Sequence, residues 1–249
     1  WTQIATRFKN YDEHLMFGGL NEPAATTQAQ TNALIKYEQA FIDAVRATGG
    51  NNANRTLVVQ GPSTNIDNTD NYFDITKLTD IASNRLMVEV HYYDPWYFCG
   101  LVQKDESSSY YIRAYWGSAN HVSGSKLNCD YGEESYVLAQ FNKMKTKFVD
   151  KGYPVLLGEY GVNWRGTSGS ISKINSESIN SDKHNASIKL FYKTINQYAV
   201  NCGIIPFAWD TNYTSYPSMT IFNRTNLSVF DSYMLDGVTE GVKAATWPY

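Results

Sequence analysis

The feature that most constrains this chain is a set of short, almost continuously apolar runs set between amphipathic stretches. "TLVVQG" (56–61), "RLMVEVHYY" (85–93), "PVLLGEY" (154–160) and "GIIPFAWD" (203–210) are the clearest, and "LMFGGLNE" (15–22) is a fifth. A strand wetted on one face alternates apolar and polar residues. A run that is apolar at nearly every position is buried on both faces, as in a parallel sheet covered by helices. The stretches between the runs have helical spacing. In residues 27–50, Ala33, Tyr37, Ala40, Phe41, Ala44 and Val45 share a face, and Gly49 and Gly50 end it. Residues 133–152 are amphipathic, as are 181–203, with Ser181 or Asp182 as the cap. The spacing also predicts helix over 1–14 (Ile4, Phe8 and Tyr11 on one face), over 74–83 and over 228–243.

This order predicts an α/β chain with about five parallel strands covered by helices. No fixed-period repeat or linker divides it, so residues 1–249 read as a single domain. A chain that opens within a helix leads one to expect further structure upstream. Segments 94–132 and 163–181 have no clear period and read as large loops. The oxygen-rich "NIDNTDN" (65–71) lacks the glycine and terminal glutamate of an EF-hand loop and reads as a polar loop.

Composition excludes several classes. A net charge of −3, with no basic stripe, argues against nucleic acid as a partner. No apolar run is long enough to span a bilayer, so no membrane partner is expected. His14, His91, His121 and His184 form no pair at ligand spacing, so neither a metal nor another cofactor is expected. Three cysteines are too few for a disulfide scaffold. Cys99 and Cys129 share one segment, where a bridge and two unpaired thiols are both open, and Cys202 reads as a small buried residue. The 19 tyrosines and 6 tryptophans suit sugars, whose C–H faces stack on rings.

In a parallel α/β barrel, function sits at the C-terminal ends of the strands. Those ends present Asn21-Glu22, Gln60-Gly61, His91-Tyr92-Tyr93-Asp94, Glu159-Tyr160 and Trp209-Asp210. Two carboxylates across a sugar-sized cleft are what glycoside hydrolysis needs, one protonating the leaving oxygen and the other attacking the anomeric carbon or activating water. Trp96, Trp116 and Trp164, on predicted loops, are candidates for outer sugar subsites, with packing of their own loops as the alternative. Asn212 could reach a sugar hydroxyl or serve a turn.

"NEP", "HYYDP", "GEYG" and "AWD", in this order, resemble glycoside hydrolase family 5, the retaining endo-β-1,4-glucanases (cellulase type) and their relatives. "RFKNYDEHLMFGGLNEP" and the closing "FAWDTN…SMTIFNRTNLSVFDSYMLDGV" look most like its bacterial endoglucanase and xyloglucanase branch. The resemblance implies Glu22 as general acid/base and Glu159 as nucleophile of a double displacement, whose carboxyls stand about 5 Å apart in retaining enzymes. It implies Asn21 at the sugar 2-hydroxyl, His91 near the acid, Tyr93 hydrogen-bonded to the nucleophile, and Trp209 as the floor under the attacked sugar. It also implies a fold of the (β/α)8 TIM-barrel type, here a partial barrel whose five parallel strands match the family's fourth to eighth, so that its first three βα units, with an arginine and one or two histidines, have no counterpart here.

The expected partner is a β-glucan polysaccharide, whether cellulose, mixed-linkage glucan or xyloglucan. Export to a secreted or cell-surface location of a bacterium follows from the polymeric substrate. A partial barrel has open edges, which a homodimer or larger assembly would close. A glycan-binding fragment with impaired turnover is the alternative function. A lyase or aldolase would want a strand-end lysine or a metal site, and neither is visible.

Overall fold

The structure, a computed structural model, describes residues 1–100, 112–165, 173–174, 177–215 and 217–249. Parts of both predicted loops, 101–111 and most of 166–176, lie outside the described residues. The elements run α1 (Thr2–Phe8), β1 (Phe17–Gly18), α2 (Gln28–Arg46), β2 (Leu57–Asn65), α3 (Ile66–Tyr72), β3 (Leu86–Tyr92), α4 (Trp96–Cys99) and α5 (Glu134–Lys147). They continue through β4 (Val155–Tyr160), β5 (Lys173–Ile174), β6 (Glu177–Ser178), α6 (Ser181–Asn201), β7 (Ile204–Ala208), β8 (Phe222–Asn223), β9 (Ser228–Val229) and α7 (Ser232–Ala244). One sheet has five parallel strands in the order β1-β2-β3-β4-β7. Each new strand joins beside the last, without the reversal of a doubly wound sheet, so the winding is that of the TIM-barrel type. β5-β6 and β8-β9 are two-stranded antiparallel pairs.

The chain divides into two compact units, Trp1–His91 with Asn142–Leu157, and Tyr92–Phe141 with Gly158–Tyr249. In the first unit, β1 pairs β2 from Phe17 opposite Leu57, and β2 pairs β3 from Leu57 opposite Leu86. Along β3, Leu86, Val88 and Val90 alternate with Met87, Glu89 and His91, and all but Glu89 are buried. On the second face Met87 joins Val58 and Leu156 in an apolar cluster.

Helix α1 stops at Phe8 rather than running to residue 14, and Ile4 and Tyr11 are exposed while Ala5 is buried. The reason is Arg55, fully buried, whose guanidinium donates to the carbonyls of Phe8, Tyr11, Asp12 and Leu15. Those carbonyls turn inward to the cation, so the segment cannot continue as helix. Arg46 on α2 holds Asp80 through two 2.7 Å hydrogen bonds, with both side chains about 4% exposed. The buried stripe of α2 is Leu34, Ile35, Glu38, Phe41, Ile42 and Val45, and Ala33, Tyr37 and Ala40 face water. "NIDNTDN" forms α3, with the Asn65 side chain accepting from the Asn68 N–H, and Lys143 pairs with Asp67. The predicted helix 74–83 is one 3-10 turn, Ile75–Lys77.

In the second unit, α6 and α7 pack against each other. A Cβ at Gly237 or Gly241 would lie 2.5 Å from a carbonyl oxygen of α6, so these glycines permit the close approach. The cap of α6 is Asn180 rather than Ser181 or Asp182. Phe98, Trp116, Phe191 and Tyr192 form a buried aromatic group, with Trp116 and Phe191 edge to face at 5.4 Å. Buried His184 donates from Nδ1 to the Ala114 carbonyl and accepts at Nε2 from the Arg165 N–H. Burial, with the Arg165 charge beside it, lowers its pKa to about 3. Cys99, Cys129 and Cys202 are buried and not in disulfides, so no Cys99–Cys129 bridge is present.

Candidate active site

The first carboxylate is positioned entirely within the first unit. Gly19, at the exit of β1, approaches α2 so closely that a Cβ there would lie 2.8 Å from both Glu38 Oε2 and the Phe41 ring. Its N–H donates to the Val58 carbonyl, and its own carbonyl accepts the indole N–H of Trp1 at 2.9 Å. Three residues on, Glu22 has φ of +46°, a left-handed conformation that costs a non-glycine residue free energy and collects at functional sites. The loop beyond is pinned, because the Ser63 N–H donates to the Pro23 carbonyl at 2.8 Å and the Ser63 hydroxyl to that of Ala25 at 2.9 Å. Asn21 and Glu22 are left exposed at the tip.

Glu22 meets His91, with Oε1 2.8 Å from Nδ1. The other ring nitrogen, Nε2, lies 3.2 Å from Glu89 Oε1, and Glu89 Oε2 accepts from the Gln60 side-chain amide at 3.0 Å. The Gln60 backbone N–H in turn donates to Glu38 Oε1 at 2.8 Å. Glu38 is fully buried, and burial raises its pKa to about 7. The strand ends therefore sit on a ladder of polar side chains within the apolar sheet. Sequence reasoning placed Gln60 at a strand end without giving it a role, and passed over Glu38 and Glu89. The signal was there in each case: a polar residue inside an apolar run, at strand spacing from His91 for Glu89 and within the helical stripe for Glu38.

The second carboxylate belongs to the second unit. The Tyr93 hydroxyl donates to Glu159 Oε2 at 2.9 Å. Trp96 stands edge-on to Tyr93 at 6.3 Å and is half-exposed. Trp209 follows β7, its N–H bonded to the Tyr160 carbonyl and its side chain half-exposed. Trp164 is half-buried, with its indole N–H on Asn185 at 3.1 Å and its ring edge-on to Phe230. Trp116 is fully buried, donates to the Gly132 carbonyl and is a core residue. Asn212 has φ of +57°, and its N–H is held by Asp210 Oδ1, which is turn geometry.

The chain is 49% identical to a family 5 xyloglucan-specific β-1,4-glucanase from a ruminal metagenomic library, solved with the oligosaccharide XXLG. The TM-score is 0.87, over 100% of this chain and 64% of that one. The family 5 xyloglucanase of Paenibacillus pabuli is 32% identical with a TM-score of 0.80, over 97% and 65%. Among curated relatives, endoglucanase A of Paenibacillus barcinonensis is 32% identical over 98% of this chain. The xyloglucan-specific endo-β-1,4-glucanase of Bacteroides ovatus is 29% identical over 97%. The chain spans 59% and 45% of the length of these two. Residues 1–215 match the family described as cellulase (glycosyl hydrolase family 5), and the chain belongs to that family.

Proposed function

We propose that residues 1–249 act as a single catalytic domain, a retaining glycoside hydrolase that cuts β-1,4-glucans within the chain. Cellulose, mixed-linkage β-glucan and xyloglucan are the candidate polymers. Two of the similar proteins are described as xyloglucan-specific, which favours xyloglucan among them. The observation that carries the reading is that each strand-end glutamate has a fitted partner, His91 for Glu22 and the Tyr93 hydroxyl for Glu159.

In this reading Glu22 gives its proton to the glycosidic oxygen as the C–O bond breaks, while a Glu159 oxygen bonds to the anomeric carbon. A water then attacks that carbon, its proton passes to Glu22, and Glu159 leaves as carboxylate. The Tyr93 hydroxyl stabilises the charge on Glu159 before attack and after release. Asn21, His91 and Trp209 bind the attacked sugar, Trp96 and Trp164 serve outer subsites, and Asn212 reaches a hydroxyl. No metal or cofactor takes part.

Action on a polymer fits a secreted or cell-surface bacterial protein. Among the described residues no helix is long and apolar enough to cross a membrane. The edge strand β7 is apolar: Ile205 and Phe207 along it are 38% and 48% exposed, and Trp209 just beyond it 45%. A homodimer covering such edges over about 2,000 Å² would remove them from water. Light scattering at micromolar concentration that returned a monomer would overturn the dimer. For the activity, Glu159→Gln is expected to lower turnover on β-glucan by about 10⁴-fold while leaving glycan binding intact. Unchanged turnover would refute the nucleophile assignment. Binding without turnover in the unsubstituted chain would support an impaired glycan-binding protein instead.

A further inference from the structure

Two carboxylates grip the two nitrogens of one imidazole, and the proton count of that trio sets the state of Glu22. A neutral imidazole carries one N–H. Glu89 and His91 are two apart on β3 and so share a face of the sheet, which lets one strand supply both the ring and its support. Glu89 Oε1 stands 3.2 Å from Nε2, and its other oxygen is fixed by the Gln60 amide at 3.0 Å. His91 is 4% exposed in its side chain and Glu89 14%, against 50% for Glu22. The supporting pair is therefore shielded and the terminal group is open to water.

We propose that Glu89 is a positioning residue for the general acid/base: it accepts the Nε2 proton of His91 and so turns the bare Nδ1 lone pair toward Glu22. With that tautomer, the 2.8 Å contact between Nδ1 and Glu22 Oε1 is a hydrogen bond only when Glu22 carries the proton. Glu22 is then held in the form that can donate. Once the proton has left with the departing sugar, the ionised carboxylate faces a lone pair, and it regains stability by taking a proton from the attacking water. Glu38, behind Gln60, adds little opposing charge when it is protonated. Its backbone bond from Gln60 instead helps fix the amide that orients Glu89.

This inference rests on the reading of Glu22 as acid/base, and the experiment separates the two. kcat/KM is compared on xyloglucan and on a 2,4-dinitrophenyl β-cellobioside, whose leaving group departs without a proton. Glu22→Gln should lose about 100-fold or more on the polymer and far less on the aryl glycoside. If it does not, the assignment of Glu22 fails and the inference falls with it. If it does, Glu89→Gln should lose about 10-fold on the polymer and less than about 3-fold on the aryl glycoside. Equal losses on both substrates, or none, would overturn the role of Glu89. The imidazole ¹⁵N spectrum of the unsubstituted chain gives a check that needs no variant. Nε2 should carry the proton at neutral pH, and a spectrum placing it on Nδ1 would refute the proposal.

Discussion

In the first unit Glu22 leaves its strand on a ladder of titratable and amide side chains, Glu38, Gln60, Glu89 and His91. In the second, Glu159 meets the Tyr93 hydroxyl, and Trp96 stands edge-on to that phenol ring. The frames differ in the same way. The first unit is tied by Arg46 and Arg55, and the second by aromatic packing and a close helix pair. On the proposed mechanism, the difference follows what each carboxyl has to do. A group that changes protonation twice per turnover needs neighbours that can adjust to its charge. A nucleophile that attacks as a carboxylate needs a fixed donor that does not titrate near neutrality.

The largest test of the contrast is in the frames. Arg46→Met should cost about 3–5 kcal/mol, because it leaves the Asp80 carboxylate buried without its cation. Adding Asp80→Asn should recover a large part of the loss, since the stranded charge causes most of it. Chemical denaturation of the single and double variants measures both, and a double variant no better than the single would break the comparison. Next in size, Tyr93→Phe should lower kcat about 10- to 100-fold with little change in melting temperature, since it removes the charge-assisted hydrogen bond to Glu159. An unchanged kcat would mean that the hydroxyl does not serve the reacting carboxylate.

The smallest effect is the most diagnostic, because the two units should answer acid with opposite signs. Glu38 has its pKa raised to about 7, so between the usual carboxylate range and pH 7 the folded state binds the extra proton. Its contribution to stability is complete in acid and is lost as pH rises. His184 has its pKa lowered to about 3, so from about 6.5 down to 3 it is the unfolded state that binds the extra proton. Its contribution is complete at neutral pH and is lost as pH falls. Each slope is at most about 1.4 kcal/mol per pH unit, and between pH 5 and 6 the two oppose each other. Melting temperature against pH should therefore steepen toward acid in Glu38→Gln and reverse its slope in His184→Asn. Parallel profiles for both variants would refute the opposition.

Much of this was legible in the residues themselves. Runs such as "PVLLG" are apolar on both faces, which suits a covered parallel strand, and the strand ends at Asn21-Glu22, His91-Tyr93 and Glu159 stand out as polar groups closing apolar runs. Periodicity could not show that residues 9–14 leave the helix, because the cause is Arg55, more than forty positions away along the chain. The tilt of the α2 stripe toward Glu38 was hidden for a similar reason, since alanines fit a buried or an exposed face equally well.

The sequence by itself determined the order of strands and helices and which carboxylates end up at strand tips, because those depend on local periodicity and on where apolar runs stop. Only the tertiary structure decided that Glu89 and Gln60 stand behind His91, and that Trp116 lies in the core rather than on a sugar-facing loop. The physical reason is range. Burial and hydrogen-bond partners are set by strands and helices that meet far apart in sequence, and a side chain's type does not reveal which neighbour will desolvate it or accept its proton.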